Sequence, residues 1–272
     1  MRLFASGVRK LLRRLATFVT FGLLAGLLVL IMLAVGATAN RTGGSEAQRA
    51  AALSLVTFPA AYDSILAFLL GLGGLLAVTY GAAIAGSEWT WGTLKNAVAR
   101  GESRSRYLLV SFTAVALVIA VGLLVVFVVG IGAAVVGASL AGVPTTGMDD
   151  PATLGRLPEQ IARGTLAIIE EAALGFTIAT LARSQLAGIG AGIALYFGES
   201  FARLFLPDIV KVLPFTVANS AVATGAGGLG GGGGAAAIAR LEPNAALALV
   251  VVWLVGSLLV TAIVAERAEI SG

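Results

Sequence analysis

Glu170 and Glu171 are adjacent carboxylates inside a long uncharged stretch, with Arg163 the nearest cation before them and Arg183 the nearest after. At about 1.5 Å of rise per helical residue, that places both acids within a bilayer, slightly towards one side. A charge at such depth is costly and marks a functional site by default. Neighbouring helical residues point about 100° apart, so the two cannot both face one partner squarely. In one reading, one acid lines a polar cavity while the other pairs or is protonated. In the other, each is a neutral carboxylic acid bonded to a neighbouring helix. Glu199 and Arg203, four residues apart, share a helical face and read as a local ion pair near the end of their helix. Arg203 could alternatively neutralise Glu170 or Glu171 across helices.

A second set of polar residues interrupts the apolar sequence at Gly86-Ser87-Glu88-Trp89-Thr90-Trp91-Gly92-Thr93-Leu94-Lys95-Asn96, followed by Arg100-Gly101-Glu102-Ser103-Arg104-Ser105-Arg106. A cationic segment bounded by membrane-length helices lies in water on one face of the bilayer. Trp91, Leu94 and Val98 fall on one helical face, suited to a groove or to the bilayer surface. Glu88, Lys95, Arg100 and Arg104 would form a polar rim around it. Trp89 and Trp91 also suit the aromatic belt of a membrane interface.

Other chemistry is excluded by what the sequence lacks. It has no histidine and no cysteine, which removes imidazole bases, His- or Cys-type metal sites and disulfides. No G-x-x-x-x-G-K-[ST] loop occurs, and the glycine run at 225–234 has no lysine after it. The chain is therefore expected to hold no catalytic residue, no metal and no cofactor of its own. Its net charge of +4 gives a pI near 9.8, with the basic residues at membrane flanks, so nucleic acid is not an expected partner.

The elements that must position these groups are membrane helices. The chain is 58% hydrophobic and 12% charged, about half the charged fraction of soluble domains. A hydrocarbon core of about 30 Å needs about 20 apolar residues. Six stretches qualify: 15–39, 60–86, 107–141, 163–182, 186–206 and 245–265. The third is expected to be helical through about Val136, with an irregular exit over Gly137–Pro144. The polar segment is 87–106, and 207–244 forms a glycine-rich loop whose Leu213-Pro214-Phe215 dips into the interface.

The uncharged run from Leu15 to Asn40 is too long for a cleaved signal and reads as a retained helix. Before it, Leu3, Phe4, Val8, Leu11, Leu12 and Leu15 occupy one half of a helical wheel. Arg2, Arg9 and Arg13 lie opposite, with Lys10 and Arg14 at the margins. Residues 1–14 thus predict an interfacial amphipathic helix. The lysine and arginine bias is concentrated in this segment and in 87–106, which predicts both termini in the cytoplasm. The fold class is an all-α integral membrane protein of six transmembrane helices in a single domain, 1–272. The Gly22–Gly26 and Gly188–Gly192 spacings suit close helix packing but carry no functional weight in so glycine-rich a chain.

The polar segment resembles the signature of the type-2 ABC transporter permeases, the membrane subunits of ABC exporters. In that family an acidic residue precedes Gly-Thr-Leu, then an Arg-Pro-Val-Ser-Arg-like stretch. Here Glu88, Gly92, Thr93 and Leu94 match the first part, and Arg100, Ser103 and Arg104 the second. Gly101 and Glu102 replace the usual Pro-Val, and Ser111 stands where the family has a Lys. The Ala179-Thr180-Leu181-Ala182-Arg183-Ser184 turn and the order of parts are also similar to the family.

The resemblance implies that 87–106 forms a short coupling helix, with Glu88, Trp91, Gly92, Thr93, Leu94, Arg100 and Arg104 contacting a separate ATPase. The partners implied are a dimer of cytoplasmic ABC ATPase subunits carrying ATP-Mg, a second permease copy or a homologous permease, and the lipid of a plasma membrane. Glu170, Glu171, Glu199 and Arg203 would be the polar groups of the export path. Two other classes stand beside this expectation. One is a proton-coupled secondary transporter using Glu170 and Glu171. The other is a non-transporting membrane assembly factor. The cargo is unreadable: apolar spans favour a hydrophobic or amphipathic molecule, the acidic pair a cationic one.

Overall fold

The computed structural model describes residues 2–39, 46–222 and 241–268, whose regular structure is all helical, with no strand among them. In chain order the helices are α1 (Arg2–Leu12), α2 (Leu15–Thr38), α3 (Glu46–Leu53), α4 (Ala60–Phe68), α5 (Gly74–Thr90), α6 (Thr93–Ala99), α7 (Arg104–Ala141), α8 (Pro151–Ala182), α9 (Gln185–Ala202), α10 (Pro207–Val210), α11 (Pro214–Ser220) and α12 (Pro243–Arg267). A π-helical turn, Leu69–Gly73, joins α4 to α5 within one continuous rod.

Five helices are long and apolar enough to cross a membrane: Leu15–Thr38, Ala60–Thr90, Arg104–Ala141, Pro151–Ala182 and Pro243–Arg267. The α9 helix occupies the expected span 186–206 but stops at Ala202, opens on Gln185 and carries Glu199, and it is not among the five. Many large apolar side chains on α2, α7, α9 and α12 face outward, among them Phe18, Leu30, Val128, Phe197, Phe201 and Val252. A soluble monomer rarely exposes so continuous an apolar surface. The chain thus has the character of a multi-pass membrane protein.

Local chemistry explains where the elements begin and end. Asp150 caps α8, its carboxylate accepting from Thr153 N at 2.9 Å and Thr153 Oγ1 at 2.6 Å, with Pro151 in the first helical turn. The helix holding Glu170 and Glu171 therefore starts at Pro151, well before the expected 163. Those hydrogen bonds also hold the Asp150 carboxyl below the usual carboxylate range. Glu242 caps α12 by accepting from Ala245 N at 3.1 Å. The α7 helix does not exit irregularly after Val136. It continues to Ala141 and ends at Gly142 with φ 69°. Gly137 is used for a close crossing instead: a side chain there would lie 2.6 Å from Met32 O, and Gly36 of α2 faces it directly.

The tightest seam in the bundle joins α5 to α8. A side chain on Gly81 would strike Ala172 O, and one on Gly175 would strike Val78 O. The two backbones can touch only because these positions have no Cβ. Of the glycine pairs noted in the sequence, Gly188 and Gly192 pack against Ala179 and Val78, whereas Gly22 and Gly26 face open space. The expected glycine-rich stretch of 207–244 falls largely outside the described residues. Its described part contains α10 and α11. Phe215 is buried beneath Tyr196, their rings 5.1 Å apart edge-on, so Leu213-Pro214-Phe215 opens a packed helix rather than a strand of loop at the interface.

Gly175→Leu should break this seam and cost at least the about 1–3 kcal/mol typical of overpacking. Gly22→Leu, which points into open space, should leave stability unchanged. Thermal melts of both variants in mild detergent check the difference.

Candidate functional site

The polar residues singled out in the sequence assemble into two separate groups, one at each end of α5. The first centres on Glu88, which is almost wholly buried at the end of that helix. Its Oε1 meets Lys10 Nζ at 2.6 Å and lies 3.7 Å from Arg14 Nη2. Its Oε2 accepts from Tyr107 OH at 2.8 Å and from Thr93 Oγ1 in a very short bond. One carboxylate therefore ties together α1, the start of α6 and the start of α7. Arg14 Nη1 also donates to Ser87 Oγ at 2.7 Å, and its guanidinium lies 4.9 Å from the Trp91 ring centre.

The segment 87–106 folds as a chain reversal around α6. Gly92 takes φ 66°, a left-handed conformation that glycine adopts without strain, and so turns the chain from α5 into α6. Leu94 is buried and Val98 packs against the core, so the apolar face expected to dock a partner is occupied by the protein itself. Trp91 precedes α6 and stays 63% exposed. Arg100 lies on the exposed side. Arg104 turns away from that surface and donates from Nη1 to the carbonyls of Glu266, at 3.4 Å, and Ala268. Ser105 adds bonds to the Glu266 carboxylate, so the start of α7 is tied to the end of α12.

The second group surrounds Glu170 and Glu171 in the middle of α8. Both are buried, at 0% and 1% exposure. Their adjacency does not turn one outward, because α5, α7, α9, α11 and α12 all pack around α8. All four of their carboxyl oxygens lack a hydrogen-bond partner among the described residues. The Glu171 carboxyl lies directly against Gly74, the first residue after the π turn, where a β-carbon would overlap it. Tyr196 OH donates to Gly71 O, inside that turn, at 2.8 Å.

Glu199 and Arg203 do not form the expected local ion pair. Glu199 instead caps α11: it accepts from Phe215 N at 3.2 Å, from Thr216 N in a very short bond, and from Thr216 Oγ1 at 2.6 Å. Arg203 Nε donates to the same Thr216 hydroxyl at 3.1 Å and reaches neither Glu170 nor Glu171. The N-terminal amides of a helix are otherwise unsatisfied, and a carboxylate with several of them to accept is better served there than by one guanidinium.

Sequence reasoning missed Lys10, Arg14 and Tyr107 as partners of Glu88, and Tyr196 and Thr216 in the second group. Lys10 and Arg14 are four apart at the inner margin of the α1 wheel, a visible sign that both meet one anion. Nothing in the local sequence marks the π turn except Gly71 and Gly73. No protein-family model matches the chain, and no curated protein matches its sequence.

Glu88→Ala would leave Lys10 and Arg14 without their counter-charge and unlatch α1. The loss should fall below the about 3–5 kcal/mol of a fully buried broken pair, because Lys10 is 34% exposed. Limited trypsin digestion should then cut at Arg9, Lys10 or Arg13 at least several-fold faster than in the parent chain.

Proposed function

We propose that the chain is the membrane-spanning permease subunit of an ATP-driven exporter, coupled through α6 to a separate ATPase. The observation that carries this reading is the Glu88 junction. The acidic residue that opens the permease-like stretch joins α6 to α1 and α7 through one buried carboxylate. A force applied to α6 would pass directly into α5 and α7, which is what a coupling element needs.

In this reading α9 is a sixth crossing, both termini lie in the cytoplasm and α1 rests on the inner surface of the plasma membrane. Two ATPase subunits bearing ATP-Mg would sit beneath two permease copies, or beneath this chain and a homologous partner. The docking surface is not the Leu94–Val98 face, which is buried, but the exposed side of α6 and its flanks. Trp91 offers a large apolar anchor there, and Arg100 a cation at the rim. Glu88, Gly92, Thr93 and Leu94 would shape that surface from behind. Arg104 would brace it against α12.

A tagged chain purified from its native host in mild detergent should bring down a stoichiometric soluble subunit with a phosphate-binding loop. The Trp91→Ala/Arg100→Glu variant, altered only at exposed groups, should remain monodisperse and lose at least about tenfold of that subunit, equivalent to about 1.4 kcal/mol. An intact, folded parent chain that captures no such ATPase overturns the reading.

A further inference from the structure

Tyr196, Glu199 and Arg203 recur at helical spacing on α9 and so share one face. That face turns towards the bundle: Glu199 is buried and Tyr196 half-buried, while Phe197, Ser200 and Phe201 point outward. From the Arg203 end inward, polar groups follow one another through apolar surroundings. Arg203 Nε meets Thr216 Oγ1 at 3.1 Å, and that hydroxyl meets Glu199 Oε1 at 2.6 Å. One turn further, Tyr196 OH meets Gly71 O of the π turn at 2.8 Å. Gly74, at the other end of the same turn, packs against the Glu171 carboxyl.

Four unpartnered carboxyl oxygens in a membrane interior are the anomaly to be explained. Two adjacent carboxylates, with Glu199 as a third nearby, would repel one another without any cation or donor to offset them. A buried ionisable group in that position neutralises instead. The occupant that neutralises them must be very small, because Glu171 already touches the Gly74 backbone. Among the described residues no group of three or more acidic side chains is placed to hold a metal ion. Nor do the other helices around α8 bring a counter-charge. Of the helices packed on α8, α11 has no charged residue, α5, α7 and α12 carry theirs only in their end turns, and the cation that follows α9, Arg203, meets Thr216.

We propose that Glu170 and Glu171 form a proton-binding site in the membrane interior that exchanges with water along the polar face of α9, with Tyr196 positioned to control passage. The exchange is hydronium plus carboxylate giving water plus carboxylic acid, and the reverse. Glu199 and Thr216 form the outer part of the route. The π turn forms the inner part, where Gly71 O accepts from Tyr196 OH in addition to the Gly74 N–H. The site stands whether or not the chain is an ATP-driven permease.

Infrared spectroscopy of the full chain in neutral-lipid nanodiscs, in buffer free of sodium and potassium, tests this directly. A protonated carboxyl C=O band should be present at neutral pH. It should fall by about half in Glu170→Gln and in Glu171→Gln, and vanish in the double variant, since each acid holds its own proton. In D₂O the band should shift as deuterium replaces the proton. Tyr196→Phe should keep the band's amplitude but slow that shift at least about a hundredfold, the lower end for a positioned proton-transfer group. A band untouched in the double variant overturns the proposal. So does a band abolished by added sodium or potassium at fixed pH, which would mean a metal cation takes the site. A band that never exchanges in D₂O would mark a sealed structural acid and overturn it too. Tyr196→Phe exchanging at the parent rate removes the α9 route. The two single variants and Tyr196→Phe carry the test if the double variant fails to fold.

Discussion

The contact between the backbones of α5 and α8 governs the rest of the structure. It exists because Gly81 and Gly175 have no side chain where the partner backbone passes. In a membrane, where apolar side chains gain little by leaving lipid, such close approach is a main source of helix association. The seam also fixes the geometry at both ends of α5. At one end Glu171 is pressed against Gly74. At the other, Glu88 is held where three elements converge. The two lie about 21 Å apart along one helix at 1.5 Å per residue. A change in how α5 sits on α8 therefore reaches both at once.

The two acidic sites differ in how completely their carboxyls are satisfied. Glu88 has Lys10, Arg14, Thr93 and Tyr107 around it, so its burial costs little net and its removal would expose the loss. Glu199 is likewise served, by the amides and hydroxyl that open α11. Glu170 and Glu171 find no hydrogen-bond partner among the described residues. Buried polar groups without partners are rare in native proteins and destabilise them. The chain thus satisfies two buried carboxylates fully and leaves the adjacent pair without partners among the described residues.

The helical membrane class was legible in composition and in run length, and so were most of the long helices. Their ends were less so, because in this chain glycine has two roles. Gly137 suggested termination but serves a helix crossing, whereas Gly142, five residues on, does end the helix. Glu88 and its neighbours were visible as a polar break, and Glu170 and Glu171 as acids at depth. Their surroundings were not visible. Helical spacing made a Glu199–Arg203 pair look natural, but tertiary structure offered Glu199 the start of α11, which no periodicity announces. The Leu94–Val98 face looked like a docking surface for the same reason: spacing shows that a face is apolar, not whether the chain's own core has already covered it.

The π turn links these observations. A π turn shifts the backbone ladder within a membrane span and so re-aims its carbonyls. Here the π turn falls at Leu69–Gly73, one residue before the Glu171 contact at Gly74, and Gly71 O accepts from both the Gly74 N–H and Tyr196 OH. Restoring a regular helix through 69–73 would rotate everything before it relative to α5 and withdraw the carbonyl from Tyr196. The same turn therefore sets how α4 meets the bundle, where Tyr196 is anchored and how tightly Glu171 is enclosed. If the acids gain or lose a proton, this is the segment whose packing must answer, because Glu171 touches it directly and α5 carries any shift to the Glu88 junction.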